Sequence, residues 1–450
     1  MFARTKRPRV AILVMSNKID DALCYSVGSA YLSGLPVMVA GYEMPYSGFL
    51  SKFEFMETAM DNAGMHPEDV AIVMDSDAFF TGADLNPFLD RFLSLSAATP
   101  EELDAVAVRQ GRAMAPFIAN GEDDCWAPNV FKSGDECRAA FEQAYIKVRQ
   151  FSAAHPEHEL GLPFDLVAQR QLNAGVVITR VWAYKELIQK VHNLTKTQTP
   201  ALNAQKGWFC DQSIITILYL DLLKWEVERD IFSMPKNERQ AARSTYGMRA
   251  GFIGLDYVNE FTTSNTLITI YLVEMHDKHW TKYLPVGGPE RPHSHGITRF
   301  NRIGRYVGDL YKRAYAAHGE GIYTRLAVPR WVGGKRASGA NYISLTPPLM
   351  ALKLRPIDTV KHMTRRTFPG IFHAAGLDPG FTKVTQMELV AIGARWFVPM
   401  AHDRKAKHQA MKYLASAPLF LSTNNSIIRD SYYAKCGFPF EGTIEKVKGL

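Results

Sequence analysis

The stretch Asp69-Val-Ala-Ile-Val-Met-Asp75-Ser-Asp77-Ala-Phe-Phe80 combines a short apolar run with two acidic residues at its end. The apolar residues 70–74 directly precede Asp75, as is typical of a strand that is covered on both faces. In an extended chain the side chains of Asp75 and Asp77 point to the same side. Such a pair can share a hard divalent cation, which prefers oxygen ligands, but it is also typical of solvated acids at a strand end.

Short apolar runs and helical patterns alternate on both sides of this stretch. The pattern predicts strands at 10–15, 36–40, 70–74, 115–119, 175–179 and 265–274. It predicts helices at 20–35, 51–63, 86–95, 134–154, 182–193 and 211–223. This alternation indicates an α/β fold with a Rossmann-like, mostly parallel central sheet flanked by helices. Ligands of such sheets bind at the carboxyl ends of the strands.

Charge is distributed unevenly along the chain. The formal net charge is +7, yet residues 301–450 hold 23 Lys and Arg against only 9 Asp and Glu. We therefore expect three parts: a domain over 1–310, a linker over 311–349, and a basic α/β C-terminal module over 350–450. The module is a candidate to contact nucleic acid or another polyanion, and a solvated basic face without a partner is the alternative.

The cysteines and the hydropathy pattern bear on the compartment. The five cysteines are few and scattered, which argues against a disulfide scaffold and against a zinc site. No run of about 18 apolar residues predicts a membrane span. The apolar run at 10–15 leads into polar residues, so we interpret it as a core strand rather than a signal peptide. We expect a cytoplasmic or nuclear protein, and a secretory signal outside the sequence is the alternative.

Other polar residues follow or precede predicted elements. The acid Glu122 and the indole of Trp126 come after a predicted strand, and Asn173 precedes the next one. Asp211 and Gln212 open a predicted helix. A loop at 292–299 brings together imidazoles, a glycine and an arginine, which suit a metal site and a phosphate.

Taken in order, these segments resemble the glycosyltransferase domain of the multifunctional lysyl hydroxylases, which are collagen hydroxylysine glycosyltransferases of the GT-A type. The resemblance covers about residues 9–310. It rests on Lys52-Phe, Val73-Met-Asp75-Ser-Asp77, Glu122 with Cys125-Trp126-Ala-Pro128, Leu172-Asn173-Ala-Gly175, Asp211-Gln212 with Leu218-Tyr-Leu-Asp221, and His293-Ser-His-Gly296-Ile-Thr-Arg299 with Asn301-Arg-Ile-Gly-Arg-Tyr306.

The resemblance implies a role for each matched residue. The implied metal ligands for Mn²⁺ or Mg²⁺ are Asp75, Asp77 and His293. The residues implied to bind the UDP-sugar donor are Lys52, Asp75, Ser76, Gly296 and Arg299. Those implied to form the catalytic and acceptor pocket are Asp211, Glu122, Trp126, Asn173 and Gln212. The chain departs from the family where Asp77 replaces a Tyr and Ala78 replaces the second Asp of the metal motif.

These observations predict a metal-dependent glycosyltransferase that moves glucose or galactose from a UDP-sugar to a hydroxyl acceptor. The acceptor is either a hydroxylated protein side chain or a hydroxymethylated nucleobase. One alternative is a nucleic-acid-binding protein with an inactive transferase domain. Another is an acetyltransferase with an accessory domain, because the segment Leu419-Phe-Leu-Ser-Thr-Asn-Asn425 with Tyr433-Ala-Lys-Cys-Gly-Phe438 is similar to the end of the GNAT acetyltransferases.

Overall fold

The computed structural model describes ten stretches of the chain. They are 10–32, 37–80, 85–105, 113–122, 124–158, 170–257, 261–264, 370–376, 382–394 and 404–448, with the strand residues 331–332 and 335–336 and isolated positions 8, 160, 162, 164, 400 and 401. The predicted strand at 265–274 lies outside the described residues, and so does the predicted linker over 311–349 apart from the short strands at 331–332 and 335–336.

Strands and helices alternate along most of the described chain. The strands are β1 Val10–Met15, β2 Val37–Ala40, β3 Val70–Asp75, β4 Ala78–Phe80, β5 Phe117–Glu122, β6 Gln171–Arg180, β7 Ile253–Asp256, β8 Thr262–Ser264, β9 Trp331–Val332, β10 Lys335–Arg336, β11 Ile371–His373, β12 Pro418–Ser422 and β13 Ile427–Ser431. The helices are α1 Asp21–Leu32, α2 Ser51–Asn62, α3 Asn86–Leu95, α4 Pro100–Ala105, α5 Gly134–Ala154, α6 Val181–Thr197, α7 Asp211–Glu228, α8 Lys236–Ala241, α9 Lys383–Ala394, α10 Arg404–Ser416, α11 Tyr432–Cys436 and α12 Glu441–Lys448.

Eight strands form one large sheet in the order β13-β12-β2-β1-β3-β6-β5-β7. Strand β1 pairs in parallel with β2 and β3, β12 pairs in parallel with β2, and β5 pairs in parallel with β7. Strand β6 is antiparallel to both of its neighbours, and β13 is antiparallel to β12. The sheet is therefore mostly parallel, and the predicted Rossmann-like arrangement is compatible with it.

Helices cover both faces of this sheet. In the sheet, β2 and β3 lie on opposite sides of β1. The connection from β1 to β2 therefore crosses the sheet in one direction, and the connection from β2 to β3 crosses it in the other. Because such crossovers are right-handed, α1 and α2 lie on opposite faces. Accordingly, α1 packs against α9 and α10, and α2 packs against α6. The strands between the two layers carry apolar residues throughout, with β2 and most of β3 buried.

The predicted elements agree closely with the structure over 10–228. Strand β1 and helices α3 and α5 have the predicted bounds, and the others differ mainly by a few residues at their ends. Strand β6 is longer than predicted because its polar start, at Gln171, still pairs with β5. Ser51 is the first residue of α2, and its hydroxyl accepts a hydrogen bond from Ser47 N at 3.0 Å.

The C-terminal strands belong to the large sheet. The domain boundaries predicted at 310 and 349 lie outside the described residues, so that division stays a prediction. However, β12 and β13 extend the sheet beyond β2. The hydroxyl of Tyr432 donates to the carbonyl of Cys24 at 2.6 Å, which ties α11 to α1. The described part of 350–450, predicted as an additional module, is thus built onto the same core.

Two disulfides correct the expectation, drawn from the few and scattered cysteines, that the chain lacks a disulfide scaffold. Cys24 of α1 is bonded to Cys436 of α11, and Cys125 in the loop after β5 is bonded to Cys137 of α5. The first pair is 412 residues apart in sequence, so only the fold brings its members together. Cys210 is the one free cysteine of the chain, and it is buried.

Thiol counting tests these disulfides. We expect one reactive thiol per chain when the protein is denatured without reductant, because four of its five cysteines are bonded. After reduction the same assay should report five. A Cys210→Ser variant is the control and should lose the one thiol seen before reduction. Five reactive thiols in the unreduced parent would contradict the pairing.

A second sheet lies beside the end of β3. It has three strands in the order β4-β11-β8, in which β11 is antiparallel to β4 and parallel to β8. Two residues separate the end of β3 from the start of β4. Among the described residues, no helix has the length and apolar character needed to cross a membrane.

Candidate metal centre

Polar side chains gather at one edge of the large sheet. Asp75 ends β3 and Glu122 ends β5, and these two strands run in the same direction. Asn173 lies near the start of β6, which runs the opposite way, so it reaches the same edge. Strand ends of this kind are where α/β sheets bind ligands.

Asp75, Asp77 and His373 converge at this edge. Each offers one ligand atom, and the three atoms lie within 4.8 Å of one another. Nε2 of His373 is 3.9 Å from Oδ2 of Asp75 and 3.2 Å from Oδ1 of Asp77. His373 and Asp77 are buried, and Asp75 is half-buried. Two carboxylates and one imidazole therefore face a common point.

The small sheet fixes the position of His373. In the pairing of β11 with β4, His373 lies opposite Ala78, directly beside Asp77. The amide of the next residue, Ala374, donates to the carbonyl oxygen of Asp77 at 3.0 Å. This ladder joins two segments that are almost 300 residues apart in sequence.

Gly175 leaves the space that the imidazole occupies. A Cβ atom built on Gly175 would lie 2.0 Å from Cε1 of His373 and 2.4 Å from its Nε2. The glycine is held in place because its amide donates to Oδ1 of Asn173 at 2.9 Å. Only glycine is compatible with this ring position.

Two lysines pair with the aspartates from either side. Nζ of the buried Lys52 lies 2.7 Å from Oδ1 of Asp75 and 2.8 Å from Oδ2 of Asp211, and it donates to Ala174 O at 3.1 Å. Lys383 at the start of α9 pairs with Oδ2 of Asp77. Each aspartate of the pair thus uses one oxygen for a lysine and turns the other toward His373.

The buried charges shift one another's pKa values. Burial alone would lower the pKa of Lys52, but the carboxylates of Asp211 and Asp75 outweigh it and raise that pKa well above its usual value. Burial, the largest influence, raises the pKa of Asp75, while Lys52 opposes it. For Asp77 burial is outweighed by His373 and Lys383, so its pKa lies well below the usual range.

Breaking the Lys52 pairs should destabilise the protein. A Lys52→Met variant leaves Asp75 and Asp211 without their shared cation in a buried site, which should lower the free energy of unfolding by about 3–5 kcal/mol. Urea denaturation measures this change. The control is Lys185→Met, whose partner Asp61 is largely exposed. The control should lose at most about 1 kcal/mol, and equal losses in both variants would contradict the account.

An amide network lies next to the aspartates. The buried carboxylate of Glu122 accepts from Nδ2 of Asn173 and from Nε2 of Gln212, each at 2.9 Å. Gln212 also donates to Trp126 O at 2.9 Å and accepts from Ala174 N at 3.0 Å. Glu122 therefore holds the amides of Asn173 in β6 and Gln212 in α7 in fixed orientations.

Aromatic side chains border the site. Trp126 and Phe49 are largely exposed, and their ring centroids are 6.0 Å apart in an edge-to-face arrangement. Tyr46 is also exposed. Its pKa is raised, first by burial and then by the negative charges of Asp75 and Asp211. These rings offer flat apolar faces beside a charged site.

The structure brings most of the predicted residues together. Lys52 pairs with Asp75 and Asp211, and Asp77 meets Asp75 at His373. The amide network is formed by Glu122, Asn173, Gln212 and the carbonyl of Trp126. Ser76 lies in the turn between β3 and β4. The remaining predicted residues, His293, Gly296 and Arg299, lie outside the described residues.

His373 and Lys383 were missed by the sequence analysis. The only local signal was a short apolar run, Ile371-Phe372, directly before His373. That signal is the same in kind as the run before Asp75, but it is shorter. The segment also lies in the stretch predicted as a separate module, whereas all the predicted ligands lie in the first part of the chain.

Comparison with known proteins assigns no family. No protein-family model matches the chain, and no curated protein matches it. The chemistry of the site must therefore be argued from its geometry. That geometry is a pair of carboxylates with an imidazole, two lysines and an aromatic border at a strand edge.

Proposed function

We propose that the chain is a metal-dependent glycosyltransferase of the GT-A type that transfers a hexose from a UDP-sugar to a hydroxyl acceptor. The main support for this proposal is that Asp75, Asp77 and His373 converge at the carboxyl ends of the parallel strands in the large sheet. The resemblance of the ordered segments around Lys52, Asp75, Glu122, Asn173 and Asp211 supports it independently.

The side chains fit a divalent cation. Two carboxylate oxygens and one imidazole nitrogen suit Mn²⁺, and Mg²⁺ to a lesser degree because it prefers oxygen. Oδ1 of Asp77 is buried and accepts no well-aligned hydrogen bond among the described residues, so it has capacity for a ligand bond. The site contains three aspartates and only two lysines, namely Asp75, Asp77 and Asp211 against Lys52 and Lys383. A bound cation would balance this excess of negative charge.

A cation at this position would neutralise negative charge that develops on a departing nucleotide diphosphate. Lys383 is placed to contribute to the same effect. Its ammonium group is partly exposed beside Asp77 and donates to Gly376 O at 2.6 Å. We propose that Lys383 binds a diphosphate oxygen and that the exposed rings of Tyr46, Phe49 and Trp126 contact uracil or sugar faces.

His373, Gly376 and Lys383 match the residue types expected of His293, Gly296 and Arg299. An imidazole, a glycine with φ +77° and a basic side chain follow one another here within eleven residues. We therefore assign the metal-binding and diphosphate-binding roles to this segment. The residues at 293–299 lie outside the described part of the chain, and their predicted roles remain untested.

Asp211 and the two amides define the acceptor side. Asp211 and Gln212 lie in the first turn of α7, where the helix dipole and free amides stabilise negative charge. Lys52 holds Asp211 beside Asp75 through one shared ammonium group. We propose that Asp211 orients the acceptor hydroxyl and that Asn173 and Gln212 hydrogen-bond the sugar.

The alternatives find less support in the described residues. An acetyltransferase would need a C-terminal domain with its own sheet, whereas β12 and β13 extend the large sheet. The two disulfides are typical of an oxidising compartment, which favours a secretory protein over a cytoplasmic or nuclear one. A hydroxylated protein side chain is then the favoured acceptor over a hydroxymethylated nucleobase.

A donor screen tests the proposed function. The purified chain is incubated with individual UDP-sugars, with Mn²⁺ or with excess EDTA, and UDP release is measured. We expect release from one hexose donor in Mn²⁺ and at least a hundredfold less in EDTA. The matched control is an Asp75→Asn/Asp77→Asn double variant, which should behave in Mn²⁺ as the parent does in EDTA. Full activity in EDTA, or no release from any donor, would refute the proposal.

A further inference from the structure

A second cluster of metal-ligating side chains lies away from the candidate metal centre. His155, His158 and Asp230 each offer one ligand atom, and these atoms lie within 4.8 Å of one another. His155 and His158 follow α5, and Asp230 follows α7. The two helices pack against each other, so the cluster joins their C-terminal ends.

The imidazoles of this cluster are held by their neighbours. The ring of Phe151 stacks on His155 at a centroid distance of 4.5 Å and lies 6.0 Å from the ring of His158. Phe232 packs against both Phe151 and His158. The backbone turn is also fixed, because His158 N donates to His155 O at 3.0 Å. Little side-chain entropy would therefore be lost on binding a ligand.

Polar groups behind the imidazoles complete the arrangement. Oε1 of Glu157 is 3.2 Å from Nδ1 of His155, which leaves Nε2 of His155 for another partner. Ser233 Oγ is 2.9 Å from Nε2 of His158, and Ser233 N donates to Oδ1 of Asp230 at 3.2 Å. A carboxylate or hydroxyl behind a ligating histidine is the usual outer support of a protein metal site.

Asp230 lies in a left-handed turn after α7, a conformation that aspartate tolerates and that asparagine adopts as readily. Its φ is +47°, in the left-handed region where glycine and asparagine are preferred. The turn alone therefore does not call for a carboxylate. The aspartate instead places a negative charge beside two imidazoles, which is the charge that a divalent ion needs.

We propose that His155, His158 and Asp230 bind a Zn²⁺-class transition-metal ion that links the C-terminal ends of α5 and α7. Two imidazoles and a carboxylate are a common three-residue set for zinc, with water as the fourth ligand. Zinc bonds of about 2.0–2.1 Å place tetrahedral ligand atoms roughly 3.4 Å apart. The ligand atoms lie within 4.8 Å of one another, so side-chain rotations would have to close the cluster to that spacing when the ion binds.

This site is structural and independent of the proposed function. Helix α7 has 18 residues, so its two ends are about 27 Å apart. Asp211 at its first turn belongs to the candidate metal centre, whereas Asp230 lies just beyond its last turn. The second ion would hold the helix that carries Asp211 without contacting a donor or an acceptor.

Titration of the full chain with Zn²⁺ tests the proposal. The titrations use an Asp75→Asn/Asp77→Asn double variant as the parent, because it lacks the carboxylates of the candidate metal centre. A chromophoric chelator reports free Zn²⁺. When Asp230→Asn or His158→Gln is added to this double variant, we expect the protein to bind one Zn²⁺ ion fewer per chain, or to bind that ion at least 30-fold more weakly. Asparagine is favoured at a positive φ, so the Asp230→Asn variant should fold normally, with an unchanged melting temperature in EDTA.

Two further measurements make the outcome decisive. His192 on α6 is exposed and outside the cluster, so His192→Gln should bind Zn²⁺ as the parent does. Co²⁺ in place of Zn²⁺ should give the strong visible absorption of a four-coordinate site in the parent and lose it in His158→Gln. Unchanged Zn²⁺ affinity and unchanged Co²⁺ absorption in both Asp230→Asn and His158→Gln would overturn the proposal.

Discussion

An Asp77→Asn variant is expected to lower Mn²⁺-dependent UDP release by roughly 10³-fold, the upper range for removing one preorganised electrostatic contact. Asp77 supplies a buried carboxylate oxygen 3.2 Å from Nε2 of His373, at the point where we place the cation. Asparagine keeps the shape of the side chain but removes its charge. Its partner Lys383 is partly exposed and can be solvated once the pair is broken.

Initial rates with the donor found in the screen measure this effect. The matched control is Asp61→Asn, which removes a carboxylate that pairs with Lys185 on the protein surface. It should leave the rate within about twofold of the parent, because exposed pairs contribute little. If Asp77→Asn retained the parent rate and the parent Mn²⁺ requirement, Asp77 would not hold the cation.

A Gly175→Ala variant is expected to weaken Mn²⁺ binding and UDP release by about 10²-fold. The added methyl group would lie 2.0 Å from Cε1 of His373, so the imidazole must leave its position. A shift of about 1 Å in a catalytic or binding group is enough for a loss of this size. No charge or hydrogen-bonding group is removed, so the effect isolates the placement of His373.

Gly254→Ala is the control for adding a methyl group to the same sheet. Its Cβ would lie 3.1 Å from the Cβ of Ala115, a close contact that a shift of a few tenths of an ångström relieves and that displaces no imidazole. Both variants are compared by Mn²⁺ titration and by melting temperature. Parent-like Mn²⁺ affinity in Gly175→Ala, with the protein folded, would show that the position of His373 is irrelevant to the cation.

The sequence predicted the first half of the fold and most of one side of the site. Apolar runs such as 10–15 are continuous and have the length of a strand buried on both faces, so their own residues predict the strand. Asp75 and Asp77 follow directly on such a run, and their shared direction is a property of any strand. Asp211 and Gln212 were found because they open a helix with a strong apolar pattern.

The missed residues depend on long-range pairing. His373 reaches the site because β11 pairs with β4, and no periodicity in 371–373 predicts which strand such a short run will join. The pairing of Cys24 with Cys436 has the same origin, since it requires α11 to lie on α1. Likewise, the many basic residues of 350–450 indicate only a positively charged surface. They do not predict that β12 pairs with β2 and extends the large sheet.

The position of the cation tests the account most directly. Crystals grown with Mn²⁺ and UDP would be measured at the manganese absorption edge, where anomalous differences locate the ion without reference to a protein model. We predict a peak within about 2.5 Å of Asp75 Oδ2, Asp77 Oδ1 and His373 Nε2, with the diphosphate of UDP beside it. Bound UDP with no anomalous peak among these three side chains would contradict the account.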